Sequence, residues 1–410
     1  MPKKDRAEGL GLRADSPQPS ILSPQPSALS SQLAGRVWER LESIRDRGLE
    51  RILRPPSGID FSSNDYLGLS THPRVVQAMI DAVGREGAGS TGSRLLRGDR
   101  DSFTDVERRF AAFKGTERAL YFSSGYLANL AVLTTLAESG DVIFSDALNH
   151  ASLIDAVRLS HADYLVIPHA DVESLEPLIA AHSAEHQAFI VTESIFSMDG
   201  DAAPLDGYAS LCRVTGAALV VDEAHAVGTR GPRGSGMLEE MGLDPNSVIS
   251  INTAGKALGV SGAFVAGPEW AIEYLIQRAR PFVFSTAPPP AVASALLASL
   301  DVVESDPQLR ERLNSRVERL HGALKANGIA VSGPPSHIVP IVIGDNERAM
   351  AAAQAMQSQG FDVRAIRPPS VPAGTARLRI TVNVNLDDAI IDRFARVLKE
   401  AILSCHAASS

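Results

Sequence analysis

Thr253-Ala254-Gly255-Lys256-Ala257-Leu258-Gly259 lies between two short apolar runs, residues 248–251 and 263–266. Such runs are typical of strands, so the lysine falls in a turn of small residues where two strands approach each other. The glycines allow a ligand to come close to the backbone. A lysine amine in this setting suits covalent catalysis through a Schiff base, which needs a partner acid elsewhere in the chain. Lys256 is therefore the first candidate catalytic residue.

The apolar runs around this turn predict the fold. Near-continuous runs separated by segments of helical length are typical of a mostly parallel sheet covered by helices on both faces. Ligands of such sheets bind at the carboxyl ends of the strands. We therefore predict an α/β fold with a large sheet domain. Its strands are expected at residues 119–122, 142–145, 164–167, 188–192, 218–221, 248–251 and 263–266.

Four segments differ in composition and predict the domain organisation. Residues 1–33 are rich in Pro and Ser and predict a disordered extension. Residues 34–60 predict an N-terminal helix, ended by Arg54-Pro55-Pro56, and a lead-in that packs with the small domain. Residues 61–287 form the predicted large domain, and residues 288–410 a smaller α+β domain. The smaller domain is expected to contain a long helix over 290–327 that breaks near Asp306-Pro307, strands 338–343 and 377–382, and helices 347–359 and 387–403.

Composition excludes several classes of function. The 410 residues are 44% hydrophobic and 21% charged, and a net charge of −9 without a dense Lys/Arg block argues against nucleic acid or an anionic membrane as partner. A small ligand is expected instead. Cys212 and Cys405 are far apart, which predicts no disulfide framework. Without a long apolar run or a signal peptide, we expect a cytoplasmic protein.

Asp222 is the candidate partner acid. It follows the apolar run 218–221 directly and so lies at the carboxyl end of a predicted strand, with His225 three residues later. A lone Asp at this position is more often a helix cap or part of a loop ion pair. Together with Lys256, however, it matches pyridoxal phosphate chemistry, in which an acid holds the pyridine nitrogen protonated. His225 is then a candidate for the phenolic oxygen, and His150 for stacking on the ring.

Two further parts of the sequence are candidates for binding the anionic groups of a ligand, a phosphate and a carboxylate. Residues 122–129 follow a predicted strand and open a helix, so their N–H groups suit a phosphate, although an ordinary strand-to-helix turn looks similar. Thr253 is a second phosphate candidate. Arg379 alternates with apolar residues on a predicted strand; it either lies on a solvated face or binds a carboxylate.

Three motifs are rejected. Residues 87–92 match G-x-G-x-x-G, but a predicted helix rather than a strand precedes them, so a flexible ligand loop is favoured over a dinucleotide site. His182-Ser183-Ala184-Glu185-His186 spells H-x-x-E-H without a third zinc ligand nearby. Gly255-Lys256 lacks the first glycine and the Ser/Thr of a P-loop.

The chain resembles the α-oxoamine synthases, a branch of the aspartate-aminotransferase-like PLP enzymes, over nearly all of residues 35–405. The stretches that carry the resemblance are residues 61–69, 197–201, 221–225 and 255–259. It implies a fold type I enzyme with a seven-stranded sheet, acting as a homodimer with shared active sites. Lys256 would bind the cofactor covalently, Asp222 its pyridine nitrogen, His225 its phenolic oxygen and His150 its ring. The remaining implied site residues are Gly125, Tyr126, Ser197 and Thr253 for cofactor and phosphate, Ser285 and Thr286 for the phosphate of the neighbouring subunit, and Asn64, Ser370, Arg379 and Arg51 for substrate.

Residues 342–346 and 366–379 narrow the resemblance within this branch. They are similar to the members that condense L-alanine with a pimeloyl thioester, carried on coenzyme A or acyl carrier protein, in biotin biosynthesis. Sister enzymes that use glycine or serine are the alternative: 2-amino-3-ketobutyrate ligase, 5-aminolevulinate synthase and sphingoid-base synthase. A catalytically silent scaffold subunit is a third reading, which the presence of the lysine, the acid and the histidine disfavours.

Overall fold

The computed structural model describes residues 31–181 and 186–407. Its contacts divide the chain into two units, one that ends at Leu53 and one that begins at Arg54. The first unit contains helix α1 (Ser31–Asp46). Gly48, with φ 61°, ends this helix by donating its N–H to Arg45 O at 2.8 Å. The predicted end at Arg54-Pro55-Pro56 was therefore wrong, because a left-handed glycine stops the helix about two turns earlier.

The second unit alternates strands and helices. Its strands are β1 (Ile59–Asp60), β2 (Arg118–Phe122), β3 (Val142–Asp146), β4 (Asp163–Ile167), β5 (Ala188–Glu193), β6 (Ala218–Asp222), β7 (Val248–Thr253), β8 (Ala263–Gly267), β9 (Ile338–Gly344), β10 (Phe361–Asp362), β11 (Arg364–Ile366) and β12 (Ala376–Thr381). Its helices are α2 (Pro73–Glu86), α3 (Asp101–Lys114), α4 (Gly125–Leu136), α5 (Ala151–Leu159), α6 (Leu175–Ala180), α7 (Leu205–Thr215), α8 (Met237–Glu240), α9 (Glu269–Arg278), α10 (Arg280–Val283), α11 (Ala291–Ser305), α12 (Gln308–Ala326), α13 (Asn346–Ser358) and α14 (Asp388–Ala407).

Strands β2 to β8 form one seven-stranded sheet in the order β2-β8-β7-β6-β5-β3-β4. Strand β8 is antiparallel to both neighbours, and the other pairs are parallel. The predicted mostly parallel sheet is confirmed, with each of the seven expected runs at its place. Because β2, β3, β5, β6 and β7 share one direction, their carboxyl ends meet along one edge, where a ligand site is expected.

Both faces of this sheet are buried except at the edge strand β4, whose first four residues are exposed. This burial explains why the other strands are apolar without alternation. In β3, Val142 and Phe144 pack in one core cluster, whereas Ile143 packs in another on the opposite face. Strand β6 divides in the same way between Val221 and Val220.

A polar residue inside these strands is removed from water and buried in one of the two cores, which costs free energy unless it finds a hydrogen-bond partner. Ser250 inside β7 is such a residue, and its Oγ donates to Ala266 O at 3.2 Å. Most other polar residues lie at or next to the strand ends, where the site lies.

The C-terminal part contains a second, antiparallel sheet in the order β11-β12-β9. Its strands and helices lie close to the predicted positions, and the long helix breaks between α11 and α12 at Asp306-Pro307 as predicted. The domain boundary at residue 287 and the packing of residues 34–60 remain predictions. Within the described ranges, no helix is both long and apolar enough to cross a membrane.

Candidate active site

Two carboxylates lie side by side at the carboxyl edge of the large sheet. Glu193 closes β5 and Asp222 closes β6, and the two residues are partners in the register of these strands. Asp222 is only 5% exposed. Its Oδ2 accepts a hydrogen bond from Asn129 Nδ2 at 2.7 Å, and its Oδ1 accepts one from Ala224 N at 2.9 Å. These two donors hold the carboxylate in a fixed orientation at the sheet edge.

Glu193 differs from its neighbour in charge. Burial, reinforced by the nearby Asp222, raises the pKa of Glu193 from 4.5 to about 8, against the opposing charge of Lys256. Its Oε2 accepts a hydrogen bond from Ser197 N at 3.2 Å, while Oε1 has no partner among the described residues. The sequence analysis missed this residue. Its pattern, an acid directly after an apolar run, is the one that identified Asp222.

Lys256 lies in the turn after β7, as the sequence predicts. Its Nζ is 2.8 Å from His225 Nε2. Burial lowers the pKa of Lys256 to about 8, although Asp222 and Glu193 oppose the shift. The turn requires Gly259, which has φ 68°, because a Cβ there would lie 2.4 Å from Ser70 N. The uncharged amine is thus far more populated near neutral pH than in an ordinary lysine.

His225 joins the lysine to a buried polar cluster. Its Nδ1 lies 2.7 Å from Tyr66 Oη, which in turn donates to Asn64 Oδ1 at 3.0 Å. Burial, together with the cations Lys256 and Arg379, lowers the pKa of His225 well below its usual value. Burial raises the pKa of Tyr66 to about 12. Both groups are neutral near pH 7. Tyr66 and Asn129 were not singled out from the sequence. Asn129 is a polar residue in an apolar stretch, whereas Tyr66 follows the polar run 62–65.

The N-terminus of α4 and the C-terminal end of β7 lie next to each other in another part of the site. Ser124 caps the helix by accepting a hydrogen bond from Leu127 N at 3.2 Å. A Cβ at Gly125 would lie 2.5 Å from Thr253 Oγ1, so only glycine allows this approach. The first N–H groups of a helix lack intrahelical partners and attract anions. Gly125 and Thr253 are therefore brought together in an arrangement that suits a phosphate.

His150 and Tyr126 flank these groups. His150 caps α5, its Nδ1 accepting from Ser152 N at 3.2 Å, and Ser152 Oγ in turn accepts from the same Asn129 amide that binds Asp222. Desolvation lowers the pKa of His150, and Lys256 adds to this effect, whereas Asp222 opposes it. The Tyr126 hydroxyl donates to Asp155. His150 thus lies within electrostatic range of both Asp222 and Lys256.

Arg379 is buried rather than solvated. Its Nε donates to Ser197 O at 2.6 Å, and both Nη atoms donate to Asn64 Oδ1 at 3.1 Å. Two residues earlier on β12, Arg377 pairs with Asp199 in the same loop. The structure therefore brings Asn64, Ser197 and Arg379 into the cluster of His225 and Lys256.

The other predicted site residues lie elsewhere. Ser370 lies in an exposed turn after β11, where its N–H donates to Arg367 O at 3.1 Å. Ser285 and Thr286 lie in the segment between α10 and α11. Arg51 belongs to the first unit of the chain. The roles of these four residues stay predictions.

The glycine-rich stretch 87–92 follows α2, so a helix precedes it as expected. It holds the segment before α11: Gly92 O accepts from Ala287 N at 2.8 Å, and Ser90 Oγ donates to Pro288 O at 2.6 Å. Of the H-x-x-E-H motif, residues 182–185 lie outside the described residues. Within residues 31–181 and 186–407, no group of three or more His, Cys, Asp or Glu side chains could hold a metal ion.

A buried ion pair supports the site from behind. Lys114 and Glu223 form a salt bridge with almost no exposed side-chain surface. Lys114 Nζ also donates to Ser235 O at 2.6 Å, and Glu223 Oε1 accepts from Met237 N at 2.6 Å. Glu223 directly follows Asp222. The pair therefore attaches the loop that contains His225 to helices α3 and α8.

The assembled groups suit pyridoxal phosphate. Lys256 offers an amine for the aldehyde, Asp222 an oriented carboxylate for the pyridine nitrogen, and His225 a neutral ring nitrogen. The start of α4 with Thr253 offers donors for the phosphate. The close approach that only Gly125 permits leaves this phosphate corner without side-chain bulk. Each part of the cofactor thus meets a group of matching chemistry.

Comparisons with known proteins agree with this arrangement. The family described as aminotransferase class I and II matches residues 56–398. An 8-amino-7-oxononanoate synthase from Anaeromyxobacter dehalogenans is 46% identical over 375 residues, which cover 88% of this chain and 94% of the relative. The solved structure of an 8-amino-7-oxononanoate synthase from Francisella tularensis has a TM-score of 0.74 and 30% identity, with 85% and 99% coverage. A serine palmitoyltransferase from S. paucimobilis with bound PLP-myriocin aldimine has a TM-score of 0.85 and 30% identity, with 93% and 100% coverage.

Proposed function

The chain belongs to the class I and II aminotransferase family and, within it, to the 8-amino-7-oxononanoate synthases, and on that premise we propose that it joins L-alanine to a pimeloyl thioester. The reaction releases carbon dioxide and the thiol and yields 8-amino-7-oxononanoate for biotin biosynthesis. The observation that carries the proposal is the partly buried contact of Lys256 with the buried His225 beside Asp222, in a chain 46% identical to a synthase of this kind.

In the proposed reaction, some residues of the site bind the cofactor and the substrate, and Lys256 also transfers a proton. Pyridoxal phosphate, when bound, supplies the electron sink for the carbanion that forms at Cα of alanine. Lys256 would bind its aldehyde, and Asp222 would keep the pyridine nitrogen protonated. Gly125, Tyr126 and Thr253 would hold the phosphate, together with Ser285 and Thr286 of a second subunit. His150 and Ser197 would complete the contacts to the cofactor.

Lys256 also acts as the general base. Its free amine would remove the Cα proton of the bound alanine and later return one, a role worth about 10²–10⁴-fold in rate. At pH 7 a lysine with a pKa of about 8 is roughly one-tenth unprotonated, several hundred times more than an ordinary lysine. Arg379 and Asn64 would hold the alanine carboxylate, and Ser370 is a further proposed substrate contact.

The enzyme is proposed to work as a homodimer with shared active sites in the cytoplasm. The Phe284 ring, next to Ser285, is 73% exposed and Leu96 is 84% exposed, so apolar surface is available for a second copy. Two free cysteines are compatible with a reducing compartment. Sedimentation velocity tests the dimer: a species of 43.5 kDa at micromolar concentration would exclude it.

A second candidate is condensation of serine with a long-chain acyl thioester, which the TM-score of 0.85 to a serine palmitoyltransferase favours. Sequence identity is lower for that relative, at 30% against 46%. Alanine with a pimeloyl donor is therefore the preferred reaction.

A substrate screen on the PLP-loaded enzyme tests both candidates. Alanine, glycine and serine are each combined with pimeloyl-CoA, pimeloyl-acyl carrier protein and palmitoyl-CoA, and the product is identified by mass spectrometry. We expect product from alanine with a pimeloyl donor, and the two donor arms decide the carrier. Lys256→Ala should abolish turnover, whereas Lys325→Ala, which removes an exposed lysine of α12, should not. Turnover by the Lys256→Ala enzyme, or product only from serine, contradicts the proposal.

A further inference from the structure

His169 connects two loops of the proposed site. It follows β4, and its ring faces a carboxylate on each side: Nδ1 is 3.0 Å from Asp146 Oδ1, and Nε2 is 2.7 Å from Asp201 Oδ2. Asp146 closes β3 and begins the loop that contains His150. Asp201 belongs to the loop between β5 and α7, which also contains Ser197. Because β3 and β5 are neighbours in the sheet, the ring bridges the loops that leave two adjacent strands.

The two contacts require a positively charged ring. An ionised carboxylate can only accept hydrogen bonds, so each ring nitrogen of His169 must carry a hydrogen. Only the imidazolium form has both hydrogens. Asp146 also accepts from Leu148 N and Ala170 N, both at 2.8 Å, so each of its oxygens faces donors. A neutral ring would instead direct a lone pair at one of the two carboxylates.

The groups that face His169 favour the charged form. Although burial opposes the shift, the hydrogen bonds to Asp146 and Asp201 raise the pKa of His169 above its usual 6.5. Asp171 lies two positions further along the same loop, and the Tyr208 hydroxyl of α7 is within electrostatic range of Asp146 and Asp171. Burial raises the pKa of Tyr208, so this hydroxyl stays uncharged. The surroundings of the ring are therefore acidic on three elements.

The loop that His169 binds also contacts Arg379, the proposed ligand of the substrate carboxylate. Phe196 N donates to Asp201 O at 2.9 Å, so the two sides of the loop are bonded to each other. The Phe196 ring packs edge-on against His169, with centroids 4.4 Å apart. Ser197, the next residue, accepts from Arg379 Nε at 2.6 Å through its carbonyl oxygen. A displacement of Asp201 would therefore move the carbonyl that orients the guanidinium.

We propose that His169 is a positioning residue whose charged ring holds the loop after β5 at the sheet edge and thereby orients Arg379 toward the substrate carboxylate. The part played by Arg379 rests on the proposed function. Loss of one proton from the ring removes one of the two hydrogen bonds of the bridge. The bridge is complete below the pKa of His169 and is lost as pH rises through it. The affinity for a carboxylate should therefore fall on the alkaline side.

Histidine-selective ¹⁵N NMR of the full-length, PLP-loaded enzyme tests the charge of the ring. Wild type should show His169 with both nitrogens protonated at pH 7, and the signal that disappears in His169→Gln identifies it. Asp201→Asn keeps an acceptor for Nε2 but removes a negative charge, so His169 should titrate at lower pH. His161→Gln, which replaces an exposed histidine before β4, is the control and should leave this titration unchanged.

The change in the cofactor absorption band on addition of L-alanine measures binding in the same proteins. His169→Gln should weaken alanine binding roughly 10-fold at pH 7, because a misplaced ligand loses much of its contribution. Asp201→Asn should move the alkaline loss of alanine affinity to lower pH, in step with the titration of His169. Ethylamine has the amine of this substrate without its carboxylate, so wild type and both variants should bind it equally.

The outcomes separate this inference from the proposed function. A neutral His169 at pH 7, or an alanine affinity that neither variant changes, overturns its role. Equal losses for ethylamine and alanine also overturn it, because they would indicate general damage to the site rather than a displaced Arg379. An enzyme that forms no product from alanine with either pimeloyl donor contradicts the proposed reaction. The histidine titration needs no substrate and decides the charged bridge in either case.

Discussion

Replacing Glu193 with glutamine should change how stability depends on pH. Glu193 lies next to Asp222 in the strand register, and burial raises its pKa to about 8. Glutamine has nearly the same shape, keeps an acceptor for Ser197 N and never ionises. The substitution therefore removes the cost of charging this carboxyl inside the protein while leaving its hydrogen bond in place.

The sign and size follow from linkage. A folded pKa raised from 4.5 to about 8 means that the contribution of Glu193 to stability is fully present below about pH 4.5 and is lost as pH rises to about 8. At about 1.4 kcal/mol for each pH unit, the whole loss is roughly 4–5 kcal/mol. The Glu193→Gln variant avoids this loss of stability because glutamine does not ionise. Between about pH 6.5 and pH 9, the variant should gain roughly 2 kcal/mol on wild type.

Urea unfolding of both cofactor-free proteins at equal concentration measures this gain. The pH range stays above the isoelectric point of about 5.6, where the protein keeps a net charge. Glu173→Gln is the matched control, since that carboxylate is exposed and its loss should shift stability equally at every pH. Parallel stability curves for wild type and Glu193→Gln would refute the reasoning, because they would place an ordinary carboxylate at the end of β5.

Two further substitutions probe the support of the site. Glu223→Gln leaves Lys114 charged and buried without its carboxylate and should lower the free energy of unfolding by about 3–5 kcal/mol; the double variant Lys114→Met/Glu223→Gln should recover much of this in a double-mutant cycle by urea unfolding. Additive losses would show that the pair is not coupled. Gly259→Ala places a Cβ 2.4 Å from Ser70 N at φ 68° and should cost at least about 2 kcal/mol, whereas Gly322→Ala, a helical position with open space, should be neutral or stabilising by about 0.5–1 kcal/mol.

The sequence predicted the large sheet because the relevant information is local. Both faces of every strand except the edge strand β4 are buried, so an uninterrupted apolar run identifies a strand without knowledge of its neighbours. Asp222 and Lys256 were found in the same way, as polar residues at the ends of such runs. Their proximity follows from β6 and β7 being neighbours in the sheet.

What the sequence did not predict depends on distant partners. Tyr66 and His225 are separated by 159 positions, and no periodicity connects them. Glu193 shows the same pattern as Asp222, but its raised pKa arises from the other carboxylate on the next strand. The early end of α1 depends on the left-handed conformation of Gly48, which competes with a helical pattern that continues past it. These features follow from three-dimensional packing rather than from composition or spacing.

The two arginines of β12 bear on how the enzyme could be redesigned. Arg377 forms an ion pair with Asp199, and Arg379 donates to Ser197 O, so two side chains of one strand bind the same three-residue segment of a loop. Their spacing on the strand is fixed by the backbone repeat. An insertion or deletion in this loop would disrupt both contacts together. It would also displace Arg379, the proposed ligand of the substrate carboxylate. A library aimed at new amino-acid substrates should therefore keep the loop length constant and vary side chains around Asn64 instead.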